Sequence, residues 1–204
     1  MLKLIYGTGN PAKLSSMQKN LKGLNIEVIG LQDMATELPE ITESGDTPLE
    51  NARIKAWTYY KKFGMPVFSC DSGLYFDNVP DNIQPGVYIR RVNGKNLTDQ
   101  EMIDYYSGLA KEYGDLKARY HNAIVLIMDD TRVYEAMEES MAGEPFLMTS
   151  KAHKFVKEGF PLDSLSVDIK SGKYFYDMQK TENPDCQVDK AFYKFFEKIL
   201  ADES

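Results

Sequence analysis

Cysteine, histidine and tryptophan are scarce in this chain, and the shortages exclude whole classes of function. Two of the 204 residues are cysteine, Cys70 and Cys186, and they form no Cys-x-x-Cys pair. That argues against a disulfide framework and against a zinc knuckle. The two histidines, His121 and His153, lie far apart and make no His-Glu-x-x-His helix. Positive charge is also short: 24 Lys and Arg stand against 31 Asp and Glu, a net charge of −7. A nucleic-acid-binding surface needs a basic patch, so no nucleic acid partner is expected. A few lysines gathered in one cleft would still serve a small phosphate ligand. Long apolar runs are missing too. The longest clean one, residues 123–128, is far too short to cross a bilayer. No membrane partner is expected. Met1 to Tyr6 reads directly as a strand without an apolar leader, so the expected location is cytoplasmic.

What is present suits a folded globular protein. Hydrophobic residues make up 43% and aromatics 12%, enough for a sizeable core. The length allows one large domain or two lobes around a shared cleft. No repeat, low-complexity linker or boundary divides the chain, so residues 1–204 are read as a single domain.

Periodicity gives the coarse plan. Leu2–Tyr6 reads as a first strand, followed by a Gly-containing loop and a helix opened by Pro11 and running to about Leu21. Residues 26–29 form a second short strand. Thr47-Pro48-Leu49-Glu50 is a capping box with proline in the first turn. Leu49, Ala52, Ala56, Tyr60 and Phe63 then repeat at helical spacing until Gly64. That helix carries Asn51 and Lys55 on one face, four residues apart. Met65-Pro66-Val67-Phe68 reads as the end of a buried strand, so Cys70-Asp71-Ser72-Gly73-Leu74 is expected at a turn beyond it. Open α/β sheets bind ligands at such strand ends. Thr98 to Glu101 starts another helix. Residues 117–128 and 131–140 read as a hairpin, with Glu138 and Glu139 on opposite faces of its second strand. A short helix is expected over residues 149–157, and an amphipathic helix carries Val188, Ala191, Phe192, Phe195 and Ile199. The last residues, 201–204, are expected to fray.

Three stretches can carry chemistry. Gly7-Thr8-Gly9-Asn10-Pro11-Ala12-Lys13 places a Gly-containing turn at a helix N-terminus, where backbone N–H groups and the helix dipole favour an anion. Thr8 and Asn10 add donors and Lys13 adds charge. The same residues also fit a capped turn with a solvated lysine, and the P-loop spacing is absent. Glu43, before the second helix, either favours that helix's dipole or binds a cation. Asp71 is of the right type to hold a metal or accept a proton from water.

Taken together, Thr8-Gly9-Asn10-Pro11-Ala12-Lys13, Glu43-Ser44-Gly45-Asp46-Thr47-Pro48-Leu49-Glu50-Asn51-Ala52-Arg53-Ile54-Lys55-Ala56, Asp71-Ser72-Gly73-Leu74 and Pro85-Gly86-Val87-Tyr88 resemble the inosine/xanthosine triphosphate pyrophosphatase family. The order and rough spacing match across the N-terminal half. The resemblance implies an α/β fold with a long mixed β-sheet, flanking helices and two lobes around a central cleft. It also implies a homodimer and Mg²⁺-dependent hydrolysis of a nucleoside triphosphate, of the non-standard purine type, to nucleoside monophosphate and pyrophosphate. Carried onto matching positions, Thr8, Asn10, Lys13 and Lys55 hold the triphosphate and Ser72 touches the nucleotide. Glu43 and Asp71 bind the metal, and Asp71 is the general base. Phe160 and Asp163 contact the nucleoside.

The chain also departs from that pattern. The family has two acids before Ser-Gly-Leu; the first is Cys70 here. The later Gly-Phe-Gly-Tyr-Asp-Pro signature is reduced to Gly159-Phe160-Pro161-Leu162-Asp163. The Ser-His-Arg that reads the purine has no match near Asp185-Cys186-Gln187-Val188-Asp189-Lys190. These departures keep two alternatives open: an altered base preference, or a nucleotide-binding protein with little turnover. A phosphatase acting on a smaller phosphorylated metabolite is a third reading.

Overall fold

The computed structural model describes residues 1–77, 79–178 and 185–202. The elements run β1 (Leu2–Tyr6), α1 (Pro11–Asn20), β2 (Ile26–Gly30), α2 (Pro48–Phe63), β3 (Val67–Phe76), β4 (Arg91–Val92) and β5 (Lys95–Asn96). They continue with α3 (Asp99–Tyr113), β6 (Leu116–Ile127), β7 (Val133–Ala136), β8 (Phe146–Met148), β9 (Ser166–Asp168) and α4 (Asp185–Asp202). One mixed sheet has the order β2-β1-β3-β6-β8-β9, with β7 also on β6. β1 pairs in parallel with β2 and β3, whereas β3 and β6 run antiparallel. The small β4–β5 hairpin stands apart.

The side chains of β3 and β6 alternate between two faces, and this alternation sorts the core. Val125 and Ile127 face α2, where they pack with Ala52 and Ala56. Phe68, Ile124 and Leu126 face the other way, onto Leu14 and Met17 of α1 and Phe192, Phe196 and Ile199 of α4. Further along that second face, Leu74, Phe76 and Ala118 pack instead against α3 and the turn over Pro161–Leu165. Two apolar clusters therefore share one sheet face. Ser72 and Asn122, opposite each other in the β3–β6 register, lie at the seam between them.

The helices begin and end where the sequence says. Thr47 and Thr98 cap α2 and α3 with complete capping boxes, and Gly64 closes α2 in the left-handed conformation. The structure corrects the sequence elsewhere. Asp71, Ser72 and Gly73 are not in a turn: β3 continues through them to Phe76, because β6 pairs with it along its whole length. The strand that ends here is β1, whose pairing with β3 stops at Phe68. Residues 149–157 form no helix. Polar side chains there bond nearby backbone instead, Thr149 Oγ1 accepting from Lys151 N–H and His153 Nδ1 from Phe155 N–H. The second hairpin strand stops at Ala136, and Glu139–Met141 is a 3-10 turn. Glu138 and Glu139 are thus not alternating strand residues, and Glu139 pairs with Arg119 at 2.6 Å. Of the end expected to fray, Ala201 and Asp202 are helical, and residues 203 and 204 lie outside the described residues.

Candidate active site

The open edge of β3 organises the site. Gly7 N–H donates to Phe68 O at 2.8 Å, the last bond of the β1 ladder. Six residues on, Leu74 N–H donates to Gly86 O at 2.9 Å, and the Gln84 amide continues that edge at Phe76. Between these closures, Cys70 and Ser72 turn their backbone groups toward the same edge by the two-residue period. Among the described residues no strand covers that stretch. It is a window in the sheet, bordered by the loop after β1 and the loop around Gly86.

Asp71 sits in the window with its side chain on the α2 face. Lys55, one turn into that helix beyond Asn51, donates to Asp71 Oδ1 at 2.7 Å and lies 3.3 Å from Glu43 Oε1. Lys55 and Asp71 are both largely buried, whereas Glu43 is half-buried. Burial opposes the Lys55 charge, but the Asp71 and Glu43 carboxylates outweigh it and hold its pKa above the ordinary value. The second Asp71 oxygen, Oδ2, is buried and has no hydrogen-bond partner. A buried, unpaired carboxylate oxygen is costly, and it marks a place where a ligand group or ion would fit.

Glu43 is placed by its surroundings. Asn51, buried on α2, accepts from Gly45 N–H at 2.9 Å, and Arg91 donates to Glu43 O at 3.0 Å while stacking on Tyr88. A Cβ at Gly45 would come within 2.6 Å of Glu50 Cβ, so only glycine lets the loop lie this close to α2. Sequence reasoning assigned Asn51 no role. Its only signal was a polar residue on the same helical face as Lys55.

The loop after β1 supplies the third wall. Asn10 caps α1, its Oδ1 accepting from Ala12 N–H and Lys13 N–H, and its Nδ2 donates to Gly159 O at 3.3 Å. Thr8 Oγ1 accepts from Asn10 N–H. Lys13, in the first turn, is held below the ordinary lysine pKa by burial first and by repulsion from Lys55 second, with Asp71, Cys70 and Glu43 opposing. Two ammonium groups are thus crowded at one end of the window. An arriving polyanion would relieve their repulsion.

Cys70 points to the opposite face from Asp71, packed against the α1–α4 cluster. Burial pushes its thiol up to about 12, partly offset by a hydrogen bond with Tyr6 and by Lys13 and Lys55. It is a neutral thiol where the family pattern has an acid. Ser72 also points to that face, its hydroxyl donating to Asn122 Oδ1 at 2.7 Å, and Asn122 in turn donates to Met141 O. Asn122 went unnoticed in the sequence because its partnership crosses 50 residues.

Phe160 and Asp163 come from a separate segment. Gly159 packs on the α1 N-terminus, and Phe160 follows with Lys157 Nζ 4.2 Å from its ring centroid. Asp163 N–H donates to Phe160 O, which opens the turn over Pro161–Leu165. Lys13, Lys55, Glu43 and Asp71 form one electrostatic group. Phe160 makes its contacts with Lys157, Asp163 and Tyr176 instead, and its tie to that group is indirect, through the bond from Asn10 to the neighbouring Gly159.

A divalent cation with a preference for hard oxygen ligands fits Glu43 and Asp71, since Asp71 Oδ2 is unpartnered and Mg²⁺ keeps several waters. Among the described residues no group of three or more His, Cys, Asp or Glu forms a complete protein cage. None of the described helices is long and apolar enough to cross a membrane.

Known proteins resemble this chain in sequence and in fold. A protein of Coxiella burnetii named dITP/XTP pyrophosphatase is 36% identical over 132 residues, 64% of this chain and 64% of its own length. One of Thermus thermophilus with the same name is 33% identical over 181 residues, 87% of this chain and 81% of its own. The solved HAM1 protein of Coxiella burnetii superposes with a TM-score of 0.76 at 26% identity, over 97% of this chain and all of that one. The Ham1 protein of Staphylococcus aureus has the same fold, with a TM-score of 0.72 at 20% identity over 96% of this chain and 98% of its own. The sequence pattern of the Ham1 family runs through residues 4–196, from β1 across the window and the Lys55–Asp71 pair into α4, and the chain belongs to that family.

Proposed function

We propose that this protein hydrolyses a nucleoside triphosphate of the non-standard purine type to the nucleoside monophosphate and pyrophosphate. One observation carries the reading: Lys55 bridges Asp71 and Glu43, and Asp71 keeps a second oxygen that is buried and unpartnered. The dITP/XTP pyrophosphatase name of the relatives agrees with it.

The phosphates enter at the α1 N-terminus. Lys13 and Lys55 neutralise them, Asn10 and Thr8 shape the loop around them, and Ser72 lies beside the nucleotide at the seam. Asp71 accepts the proton of the attacking water, a role that needs a carboxylate within reach of the reacting phosphorus. Phosphoryl chemistry depends on such positioning and charge neutralisation more than on covalent help. Glu43 and Asp71 would hold Mg²⁺, which supplies further neutralisation of the phosphate oxygens. Phe160 stacks on the base and Asp163 makes a polar contact with the nucleoside.

In this reading the chain is one domain of two lobes, with the cleft at the β3 window, and it works in the cytoplasm as a homodimer. A light-scattering mass of one chain would exclude the dimer. The activity is tested by incubating the protein with Mg²⁺ and a panel of purine and pyrimidine triphosphates, measuring monophosphate and pyrophosphate together. Matched release of both is expected. Release of inorganic phosphate alone, or of nothing by folded protein, would overturn the reading. The absent Ser-His-Arg favours a second reading, the same hydrolysis with an altered base preference; a strong preference for ITP and XTP over ATP, GTP and CTP would exclude that second reading and support the first.

A further inference from the structure

Gly159 is held at both its N–H and its C=O by groups from distant parts of the chain. Its C=O accepts from Asn10 Nδ2 at 3.3 Å, and its N–H donates to Asp99 Oδ2 at 3.0 Å. Its φ of +80° suits glycine, and an added Cβ would come within 2.9 Å of Asn10 Oδ1 and 3.2 Å of Ala12 Cβ. The segment that carries Phe160 is therefore pressed against the α1 N-terminus.

Asp99 is the first residue of α3, following its cap Thr98. Its other oxygen, Oδ1, accepts from Arg90 Nη2 at 2.6 Å, and Arg90 Nη1 also donates to Leu97 O. Burial works to raise the Asp99 carboxyl, but Arg90 and the Gly159 N–H outweigh it and hold it below the usual range. The next residue, Arg91, reaches Glu43 O at 3.0 Å. A chain of contacts thus runs from Glu43 through Arg91 and Arg90 to Asp99, Gly159 and Asn10, and so around to Lys13. Asp99 is the one carboxylate in this circuit that joins the Phe160 segment to the loop around Gly86.

We propose that Asp99 is a positioning residue that fixes the Phe160 segment relative to the Lys13–Asp71 end, and so sets affinity for the nucleoside part of the substrate. Asp99 touches neither phosphate nor reacting atoms. Its loss frees the Gly159 N–H and loosens the segment at Gly159, leaving it to the Asn10 bond and to the Tyr176 hydroxyl at Lys157 and Phe160, while Lys13, Lys55, Glu43 and Asp71 stay in place. The inference rests on the proposed activity for the identity of the ligand.

The test compares Asp99→Ala, Asp99→Asn and Arg90→Ala with the unaltered protein. Two readouts are taken: kcat and KM for inosine triphosphate, and calorimetric Kd values for inosine triphosphate and for inorganic pyrophosphate. The Kd values for the triphosphate are taken with Asp71→Asn present in every protein, so that turnover does not interfere. For Asp99→Ala, KM and the triphosphate Kd rise about tenfold, the scale of one lost charge-assisted hydrogen bond. kcat and the pyrophosphate Kd stay within about twofold of the unaltered values on the same argument. Asp99→Asn keeps an acceptor for Gly159 and shifts less, as does Arg90→Ala, which leaves the Asp99–Gly159 bond intact. A triphosphate Kd unchanged in Asp99→Ala overturns the proposal. So does a pyrophosphate Kd that rises in step, which marks a general structural role. Should Asp99→Ala fail to fold, the split between the two ligands in the other variants decides. Should the unaltered protein bind but not turn over, the activity reading fails while the Kd split still judges Asp99.

Discussion

The two ends of the proposed site, the one assigned to the phosphates and the one assigned to the nucleoside, are held by different means. At the phosphate end, Lys13 stands in the first turn of α1, Lys55 in the middle of α2 and Asp71 in the middle of β3. Each belongs to a regular element whose own ladder fixes its backbone. At the nucleoside end, Phe160 follows an irregular segment in which Phe155 is 54% exposed and Val156 42% exposed. That segment is fixed at Gly159 by Asn10 and Asp99, across 149 and 60 residues, and at Lys157 and Phe160 by the Tyr176 hydroxyl, which accepts from Lys157 N–H and donates to Phe160 O. In the proposed function, the groups assigned to the reacting phosphorus sit on rigid elements, where small displacements are resisted. The groups assigned to the remainder of the substrate sit on a segment that can be retuned by changing a few contacts.

The two ends differ most at Asp71. Asp71→Asn keeps the size of the side chain and removes the base, so kcat with saturating Mg²⁺ falls about a thousandfold, within the range for general-base loss. A variant of undiminished kcat would mean that the base lies elsewhere. Lys55→Met should cost about 3 kcal/mol of folding stability, because it leaves the Asp71 charge buried without its partner. Urea unfolding measures this, and Lys157→Ala at the exposed nucleoside end serves as the contrast, with a loss below about 1 kcal/mol. Equal losses at the two positions would break the distinction between the ends.

Phe160→Ala should raise KM about tenfold and leave kcat nearly unchanged, as expected for one lost base–aromatic stack. An equal fall in kcat would place Phe160 in the chemistry. The smallest effect concerns pH. Lys13 loses its proton below the ordinary lysine value of 10.5, because burial and Lys55 disfavour its charge. Above that lowered pKa the amine is neutral and attracts phosphate less, so kcat/KM should decline on the alkaline side before pH 10.5. Lys13→Arg moves the decline upward, since guanidinium keeps its proton. The Lys55 contribution to stability has the opposite placement. Its raised folded pKa means that this contribution is complete below 10.5 and is lost only as pH climbs through the folded value.

The sequence placed α2 well because local rules governed it. A capping box, a proline in the first turn and a closing glycine fixed α2, and helical spacing then put Lys55 and Asn51 on one face. The Asp71 stretch was found, but its conformation was misread. Asp, Ser and Gly favour turns when isolated, and only the antiparallel partner β6 kept the chain extended through them. The expected helix over 149–157 failed for a related reason, since short polar contacts and the bond from His153 N–H to Ser164 O took the backbone groups a helix would have used.

Composition, periodicity and the ordered motifs by themselves determined an α/β protein with acidic and basic groups suited to phosphate chemistry, because these depend on residue type and near neighbours. Tertiary structure alone decided that Asp71 faces Lys55 while Ser72 faces Asn122, that the β3 edge stays open between Phe68 and Leu74, and that Asp99 holds Gly159. Those facts depend on which strand pairs with which and where each pairing stops. Such pairings join residues far apart in the chain, so no local pattern records them.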